Sequence, residues 1–114
     1  MRALARGSFR SVNVDDLPWR PSTMAAGIFV RDIAVTDGWE MQIVRLEPGA
    51  RFPPHTHESP EFLFILEGEL VLQENDGETV LRPGDAAGFK AGSGVAHCLT
   101  NRTDRDALYL EVGT

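Results

Sequence analysis

The residues with the clearest capacity for chemistry are three histidines and a glutamate. His55 and His57 are separated by one residue, Glu61 follows, and His97 comes much later. On an extended strand, residues two apart point to the same face with Cα atoms roughly 6 to 7 Å apart, so both rings can reach one ion. Neutral imidazole is the commonest protein metal ligand, and a carboxylate adds an anionic oxygen for a hard or borderline cation. The pattern therefore indicates a site for a divalent metal ion.

The roles of the glutamate and of the last histidine depend on the fold. Glu61 lies an even number of positions after His57, but Pro60 interrupts any regular strand there, so spacing alone does not fix its direction. Glu58 is an alternative carboxylate ligand. His97 must fold back on a separate strand to join the others, and the chain has no further histidine.

Composition narrows the class of protein. The chain has 114 residues, of which 42% are hydrophobic, which is enough for one packed domain. Its formal net charge of -6 argues against nucleic acid or an anionic membrane as partner. The single cysteine, Cys98, cannot form an internal disulfide, and we expect a cytoplasmic protein in which this thiol is a small buried residue facing away from His97. No segment has the apolar length of a signal peptide core or a membrane span.

The frequent glycines and prolines predict an all-β domain. Eleven glycines and seven prolines divide the chain into short segments rich in Val, Ile, Leu and Phe. Residues 1–24 are predicted to be an extended arm, in which Trp19 needs a surface to cover it, and residues 25–114 the domain. Eight strands are predicted, near residues 28–34, 39–46, 62–66, 69–73, 78–81, 86–89, 96–100 and 108–112.

Two turns repeat along the chain. Residues 46–49 and 81–84 both run Leu, a charged residue, Pro and Gly, and Pro followed by Gly is what a type II turn requires at its central positions. Two similar β units in one small domain are what a double-stranded β-helix, a kind of jelly roll, produces. The alternative is that Pro-Gly is merely a common turn dipeptide. Asp76-Gly77 predicts a tight hairpin between two of the strands.

The segment 62–66 carries a further expectation. It is apolar at five successive positions, whereas a half-buried strand alternates, so both of its faces should be covered. One face can line the metal pocket. The other needs a second sheet of the same chain or another subunit.

These residues resemble the cupin superfamily. Its first motif places Gly, five residues, His, one residue, His, three or four residues, Glu, six residues and Gly in order. The matching positions are Gly49, His55, His57, Glu61 and Gly68. The second motif matches at Gly84, Gly94, His97 and Asn101, but two extra residues separate its glycines. The usual proline of this motif is replaced by Lys90 or Gly92, which puts the loop before His97 in doubt.

The resemblance implies a jelly-roll β-barrel that holds one divalent transition metal ion, Fe, Mn, Ni or Zn, on His55, His57, Glu61 and His97. It also implies a homodimer, because small cupins commonly pair. Candidate residues for a substrate pocket are Arg45, Leu63, Ile65, Phe89, Leu99 and Tyr109.

Three functions follow from the resemblance, and the sequence leaves them open. The first is a metal-dependent enzyme acting on a small molecule, similar to cupin dioxygenases, isomerases or lyases. The second is a non-catalytic protein that binds or senses a small molecule in the same pocket. The third is a structural module with a vestigial site, since one fold hosts many chemistries.

Overall fold

The fold is built almost entirely of β-strands. The computed structural model describes residues 12–36, 38–55, 60–75, 77–92 and 94–113, with only the backbone described at positions 35, 36 and 55. A short 3-10 helix, Val14–Asp16, precedes the strands. The ten strands are β1 Arg20–Pro21, β2 Ile28–Thr36, β3 Trp39–Leu46, β4 Arg51–His55, β5 Glu61–Glu67, β6 Leu70–Glu74, β7 Gly77–Leu81, β8 Ala86–Phe89, β9 His97–Thr100 and β10 Ala107–Gly113.

The strands form two antiparallel sheets. One has six strands in the order β1-β2-β3-β10-β5-β8, and the other has four in the order β4-β9-β6-β7. Apolar side chains from both sheets meet in a single core, which includes Ile28, Val44, Leu46, Leu63, Ile65, Leu70, Leu72, Leu99 and Tyr109. This is the jelly-roll β-barrel that the sequence predicts. No helix in the described part of the chain is long and apolar enough to cross a membrane.

All eight predicted strands are present, and two further strands were not predicted. The missed strands are β1, which is two residues long, and β4, which contains Pro53 and Pro54. Proline cannot donate a ladder hydrogen bond, so it is confined to edge strands and irregular positions. Strand β4 is the outer strand of its sheet, and its pairing with β9 shifts register between Phe52 and His55, where the prolines lie. The edge position explains why a proline-rich segment forms a strand here.

Both Pro-Gly segments form the predicted type II turn. Gly49 and Gly84 have φ angles of 82° and 93°, and the residue after each donates a backbone hydrogen bond across the turn. Each turn is also held in the same way by a neighbouring strand. Gly49 N donates to Asn101 O while Asn101 N donates to Ala50 O. In the second turn Gly84 N donates to Ile65 O while Ile65 N donates to Asp85 O. The repeat in sequence is therefore a repeat in structure.

The hairpin between β6 and β7 turns one residue earlier than predicted. Glu74 and Gly77 are the closing Cα partners, so the loop residues are positions 75 and 76. Asn75 adopts the left-handed conformation with φ 47°, which Asn tolerates better than most residues. Asp76 lies outside the described residues.

The end of the predicted arm packs on the outer face of the six-stranded sheet. The guanidinium carbons of Arg31 and Arg45 lie 4.3 and 4.6 Å from the centroid of the Trp19 ring, within the range of cation–π attraction. Arg20 makes a two-point ion pair with Asp32, with nitrogen–oxygen distances of 2.7 and 3.0 Å. The two arginines therefore form the surface that covers Trp19.

The other part of that outer face, around Phe62 and Phe64, is exposed to solvent. Phe62 and Phe64 are 60% and 43% exposed, although Leu63 and Ile65 between them are buried in the core. The expectation that both faces of this segment are covered is therefore met on one side only within a single chain. A shallow groove there is lined only by uncharged residues, namely Phe62, Leu63, Phe64, Ala86, Ala87, Gly88, Leu110 and Val112.

We propose that a second copy of the chain covers this exposed apolar face. Its apolar, uncharged lining favours a matching apolar surface over a charged partner. We expect the protein at micromolar concentration to have the mass of two chains by light scattering, and Phe64→Glu to reduce it to one. Val80→Glu, which changes an equally exposed residue on the other sheet, should leave the mass unchanged. A single-chain mass for the unmodified protein at about 100 µM would contradict the proposal.

Candidate functional site

His97 is held rigidly at the start of β9. Its side chain is 3% exposed, and the ring of Phe89 stacks on the imidazole with 3.8 Å between centroids and 15° between planes. The next residue, Cys98, is also buried but lies on the opposite face of the strand, where Sγ donates to Gln73 Oε1 at 3.2 Å. The predicted direction of Cys98 is observed, with a hydrogen bond that the sequence did not indicate.

The register between β4 and β9 brings two candidate ligand positions together. His55 and His97 are direct Cα partners across the two antiparallel strands. Such partners are roughly 4.5 to 5.5 Å apart at Cα. The side chain of His55, and the whole of His57 and Glu58, lie outside the described residues.

A cavity of about 180 Å³ opens between the two sheets, and Glu61 and His97 both line it. Its remaining lining residues are Met24, Phe52, Leu99, Tyr109 and Glu111. Thus two of the four predicted ligands line the same cavity. Met24 lies in the segment predicted as an arm, just before β2, so this segment reaches the cavity mouth.

The environment of Glu61 opposes its negative charge. Burial, followed by the charges of Glu111 and Glu40, raises the pKa of this carboxyl from 4.5 to about 8. A bound cation would relieve both effects, because it replaces lost solvation and offsets the repulsion between carboxylates. Either a proton or a bound cation at Glu61 would therefore be favoured over an uncompensated negative charge.

A hydrogen-bonded group forms one wall of the cavity, and the sequence did not reveal it. Glu111 Oε1 accepts a hydrogen bond from Gln42 Nε2 at 2.9 Å, and the two residues are direct partners across β3 and β10. The buried hydroxyl of Tyr109 also bonds Glu111, and burial followed by the charges of Glu111 and Glu61 raises the pKa of Tyr109 well above its usual value. Alternation along β10 from Tyr109 could have located Glu111, since both face inward.

The six predicted substrate-pocket residues occupy four different locations. Leu99 and Tyr109 line the cavity, and Phe89 supports His97 from behind. Leu63 and Ile65 are packed in the core.

Arg45 does not lie at the cavity, where the sequence places it, but on the outer face of the sheet. Its neighbours Val44 and Leu46 are buried in the core, so strand alternation turns Arg45 outward, beneath Trp19 and 4.7 Å from the centroid of Phe29.

Asn101, the last position of the second motif, is a structural residue. It is fully buried, and its Nδ2 donates to Leu46 O at 2.9 Å and to Arg105 O at 2.7 Å. Its Oδ1 accepts from the backbone N and the hydroxyl of Thr103. The side chain thereby joins the end of β3 to the loop between β9 and β10, close to the first Pro-Gly turn.

Replacing Asn101 with Ala should strongly destabilise the protein. The change removes these side-chain hydrogen bonds and leaves buried backbone groups without partners, at about 1 to 3 kcal/mol for each unsatisfied group. We expect a loss of about 3 kcal/mol or more and a fall in Tm of about 10 °C or more, measured by thermal unfolding. Asn13→Ala, at an exposed cap of the 3-10 helix, should cost at most about 1 kcal/mol. Equal effects of the two changes would contradict this role for Asn101.

The described residues do not include a complete candidate metal site. Among residues 12–36, 38–55, 60–75, 77–92 and 94–113, no group of three or more His, Cys, Asp or Glu side chains is placed to hold a metal ion. Two of the four predicted ligands contribute no described side chain. The two that do, Glu61 and His97, share one cavity, and their chemistry fits a divalent transition metal.

Comparison with protein families matches residues 42–113 to the family described as Cupin domain. This match covers more than half of the chain and includes both motifs up to the end of β10. The chain belongs to the cupin family. The first motif of this cupin, from Gly49 to Gly68, includes strands β4 and β5, and the second, from Gly84 to Asn101, includes β8 and β9. Sequence comparison with curated proteins finds no match.

Several solved structures resemble this one. One is a sugar phosphate isomerase of the cupin superfamily from Silicibacter pomeroyi. It has 30% sequence identity and a TM-score of 0.80, and the comparison covers 92% of this chain and 75% of that chain. The polyketide cyclase RemF from Streptomyces resistomycificus has 20% identity and a TM-score of 0.85, covering 93% and 79% of the two chains. A protein from Thermotoga maritima, described as a predicted oxalate decarboxylase, has 19% identity and a TM-score of 0.80, covering 91% and 97%. The fold is therefore shared with enzymes of different chemistry.

Proposed function

We propose that this cupin binds one divalent transition metal ion through His55, His57, Glu61 and His97, and that it acts as an enzyme on a small molecule. The observation that carries the proposal is the shared cavity of Glu61 and His97, combined with the cross-strand pairing of His55 with His97. The similar structures include proteins described as an isomerase, a cyclase and a decarboxylase, which supports an enzymatic role. The buried free thiol of Cys98 is consistent with a cytoplasmic location, which we include in the proposal.

The ion would polarise an oxygen of the bound substrate, and the protein residues would perform the remaining tasks. Phe89 fixes the ring plane of His97 by stacking. Phe52 and Leu99 supply an apolar lining that limits water around a ligand, and the carboxylate of Glu111 faces the same space. A cavity of about 180 Å³ suits a compact substrate.

Elemental analysis of protein purified without added metal tests the proposal. We expect close to one transition metal per chain, and a large loss of metal in His97→Gln, which keeps a polar side chain of similar length. Negligible metal after adding Fe, Mn, Ni and Zn in turn would overturn the proposal and favour a vestigial site.

Nitric oxide separates an enzymatic site from a structural one. Four protein ligands leave two positions open on a six-coordinate ion, whereas a tetrahedral structural zinc site is closed by the same four. We expect iron(II)-loaded protein to bind nitric oxide, with a new electron paramagnetic resonance signal. No signal from fully loaded protein, together with unfolding when the metal is removed, would assign the ion a structural role.

A further inference from the structure

Met24 is the residue through which the N-terminal segment reaches the cavity. It lines this space together with Glu61 and His97, and it is nevertheless 51% exposed to solvent. Its side chain therefore lies at an opening of the cavity, with apolar surface still in contact with water. Covering such surface with a hydrocarbon group of a ligand is favourable, because it removes apolar area from water.

The turn that carries Met24 is held at both ends. Ser22 N donates to Ile28 O at 2.8 Å, and Glu47 N donates to Gly27 O at 2.8 Å. Between them, Ser22 Oγ accepts a hydrogen bond from the backbone N of Met24 at 3.1 Å. None of these bonds uses the Met24 side chain, so the backbone fixes its position while the flexible thioether can adapt to a bound group.

The cavity has a candidate metal-binding part and an adjacent apolar part. His55 and His97 are Cα partners across β4 and β9. Phe52 and Leu99 are Cα partners farther along the same two strands, and both line the cavity with Met24. Leu99 comes two residues after His97, so the two face the same side of an extended strand at a distance of roughly 6 to 7 Å. A ligand held near His97 therefore has apolar surface within reach of a short carbon chain.

We infer that Met24, Phe52 and Leu99 form a subsite for an apolar substituent. The ligand of this cupin is then a small molecule with a metal-binding oxygen group at one end and a short hydrocarbon group at the other. Burying each methylene group of that substituent strengthens binding by about fourfold. The inference rests on the proposed metal site, because the ion is what holds the polar end of the ligand.

Acetohydroxamate and butanohydroxamate provide matched probes. Both chelate a metal ion through the same pair of oxygens, and the second is longer by two methylene groups. Binding of each to cobalt(II)-loaded protein can be followed by visible absorption, with cobalt content measured in every sample. We expect the unmodified protein to bind butanohydroxamate about tenfold more tightly, since full burial of both methylene groups would give about 15-fold. Met24→Ser should reduce this preference to about threefold and leave the affinity for acetohydroxamate nearly unchanged.

Two control variants should retain the tenfold preference. Met24→Leu keeps an apolar side chain of similar volume, and Val80→Ser makes a polar substitution at an exposed position of β7. If circular dichroism shows that Met24→Ser is not folded, Met24→Gln, which keeps the length and adds a polar amide, takes its place.

The outcomes separate this inference from the metal site on which it rests. An unchanged preference in the polar Met24 variant, with normal cobalt content, overturns the inference alone. Equal binding of the two probes by the cobalt-loaded unmodified protein does the same. A larger preference in the variant would show that Met24 obstructs the opening, and it would also overturn the inference. Failure of the unmodified protein to take up cobalt overturns the proposed metal site and the inference with it.

Discussion

Protonation of the three histidines is expected to lower metal affinity by roughly three to four and a half orders of magnitude when the pH is lowered from 7 to 5. Each imidazole must be deprotonated before it can bind a metal ion. With a reference pKa near 6.5, proton competition weakens binding by roughly one to one and a half log units for each of three histidines. Dissociation constants measured against a competing chelator at pH 5, 6 and 7 test this result. A change smaller than about tenfold would exclude a three-histidine site.

Glu61 should extend this dependence above pH 7. Because burial raises the pKa of this carboxyl to about 8, a proton competes with the metal for it up to that pH. The carboxyl adds up to about two log units between pH 7 and 5. It also makes affinity continue to rise between pH 7 and 8, where histidines alone would give a nearly flat profile. Replacing Glu61 with Gln should flatten the profile between pH 7 and 8 and reduce the change between pH 7 and 5 by up to about two log units.

The same substitution should have opposite effects on the stability of the metal-free and metal-loaded protein. The folded-state pKa of Glu61 lies above its ordinary value of 4.5, so the folded protein binds this proton more tightly than the unfolded chain between those pH values. The free energy of unfolding therefore falls as the pH rises from 4.5 to 8. We expect the free energy of unfolding of metal-free Glu61→Gln at pH 8 to be higher than that of the unmodified protein by on the order of 1 to 2 kcal/mol. This value allows for solvent that still reaches the carboxyl.

In thermal unfolding this difference corresponds to a Tm higher by about 5 to 10 °C at pH 8, and it should vanish near pH 4. With metal in excess the order should reverse, because an amide oxygen is a weaker ligand than a carboxylate and tighter binding stabilises the folded state more. The histidines are common to both proteins, so their titration cancels in the comparison. Glu67→Gln, on the exposed surface, should follow the unmodified protein throughout. A metal-free Glu61→Gln protein that is less stable at pH 8 would contradict an unfavourable buried charge at this position.

The sequence predicts most of the fold because the deciding signals are local. Pro followed by Gly specifies the type II turns at 46–49 and 81–84, and short apolar segments between such turns specify strands. The strand β3 has the predicted bounds of 39–46, and β8 has those of 86–89.

What the sequence does not predict depends on position within the sheets. Pro53 and Pro54 are ordinarily signs against a strand, and only the edge location of β4 permits one. Arg45 looks like a pocket residue until strand alternation and the contact with Trp19 place it outside. Glu111 carries no motif of its own. Alternation along β10 indicates that it faces inward, but its hydrogen bond from Gln42 depends on pairing across the sheet. Long-range pairing of this kind is not encoded in local spacing.

The two sheets also differ from aggregation-prone β-structure in how their edges end. An exposed, regular edge strand can recruit another chain by backbone pairing, which leads to cross-β aggregates. In this barrel β1 has two residues, β8 has four, and β4 lacks two N–H donors at Pro53 and Pro54. The remaining edge, β7, carries Glu78 in an ion pair of 2.6 Å with Arg102. Each edge thus has a feature that hinders pairing with a strand of another molecule. We therefore expect the folded barrel to resist fibril formation, although it is rich in β-structure.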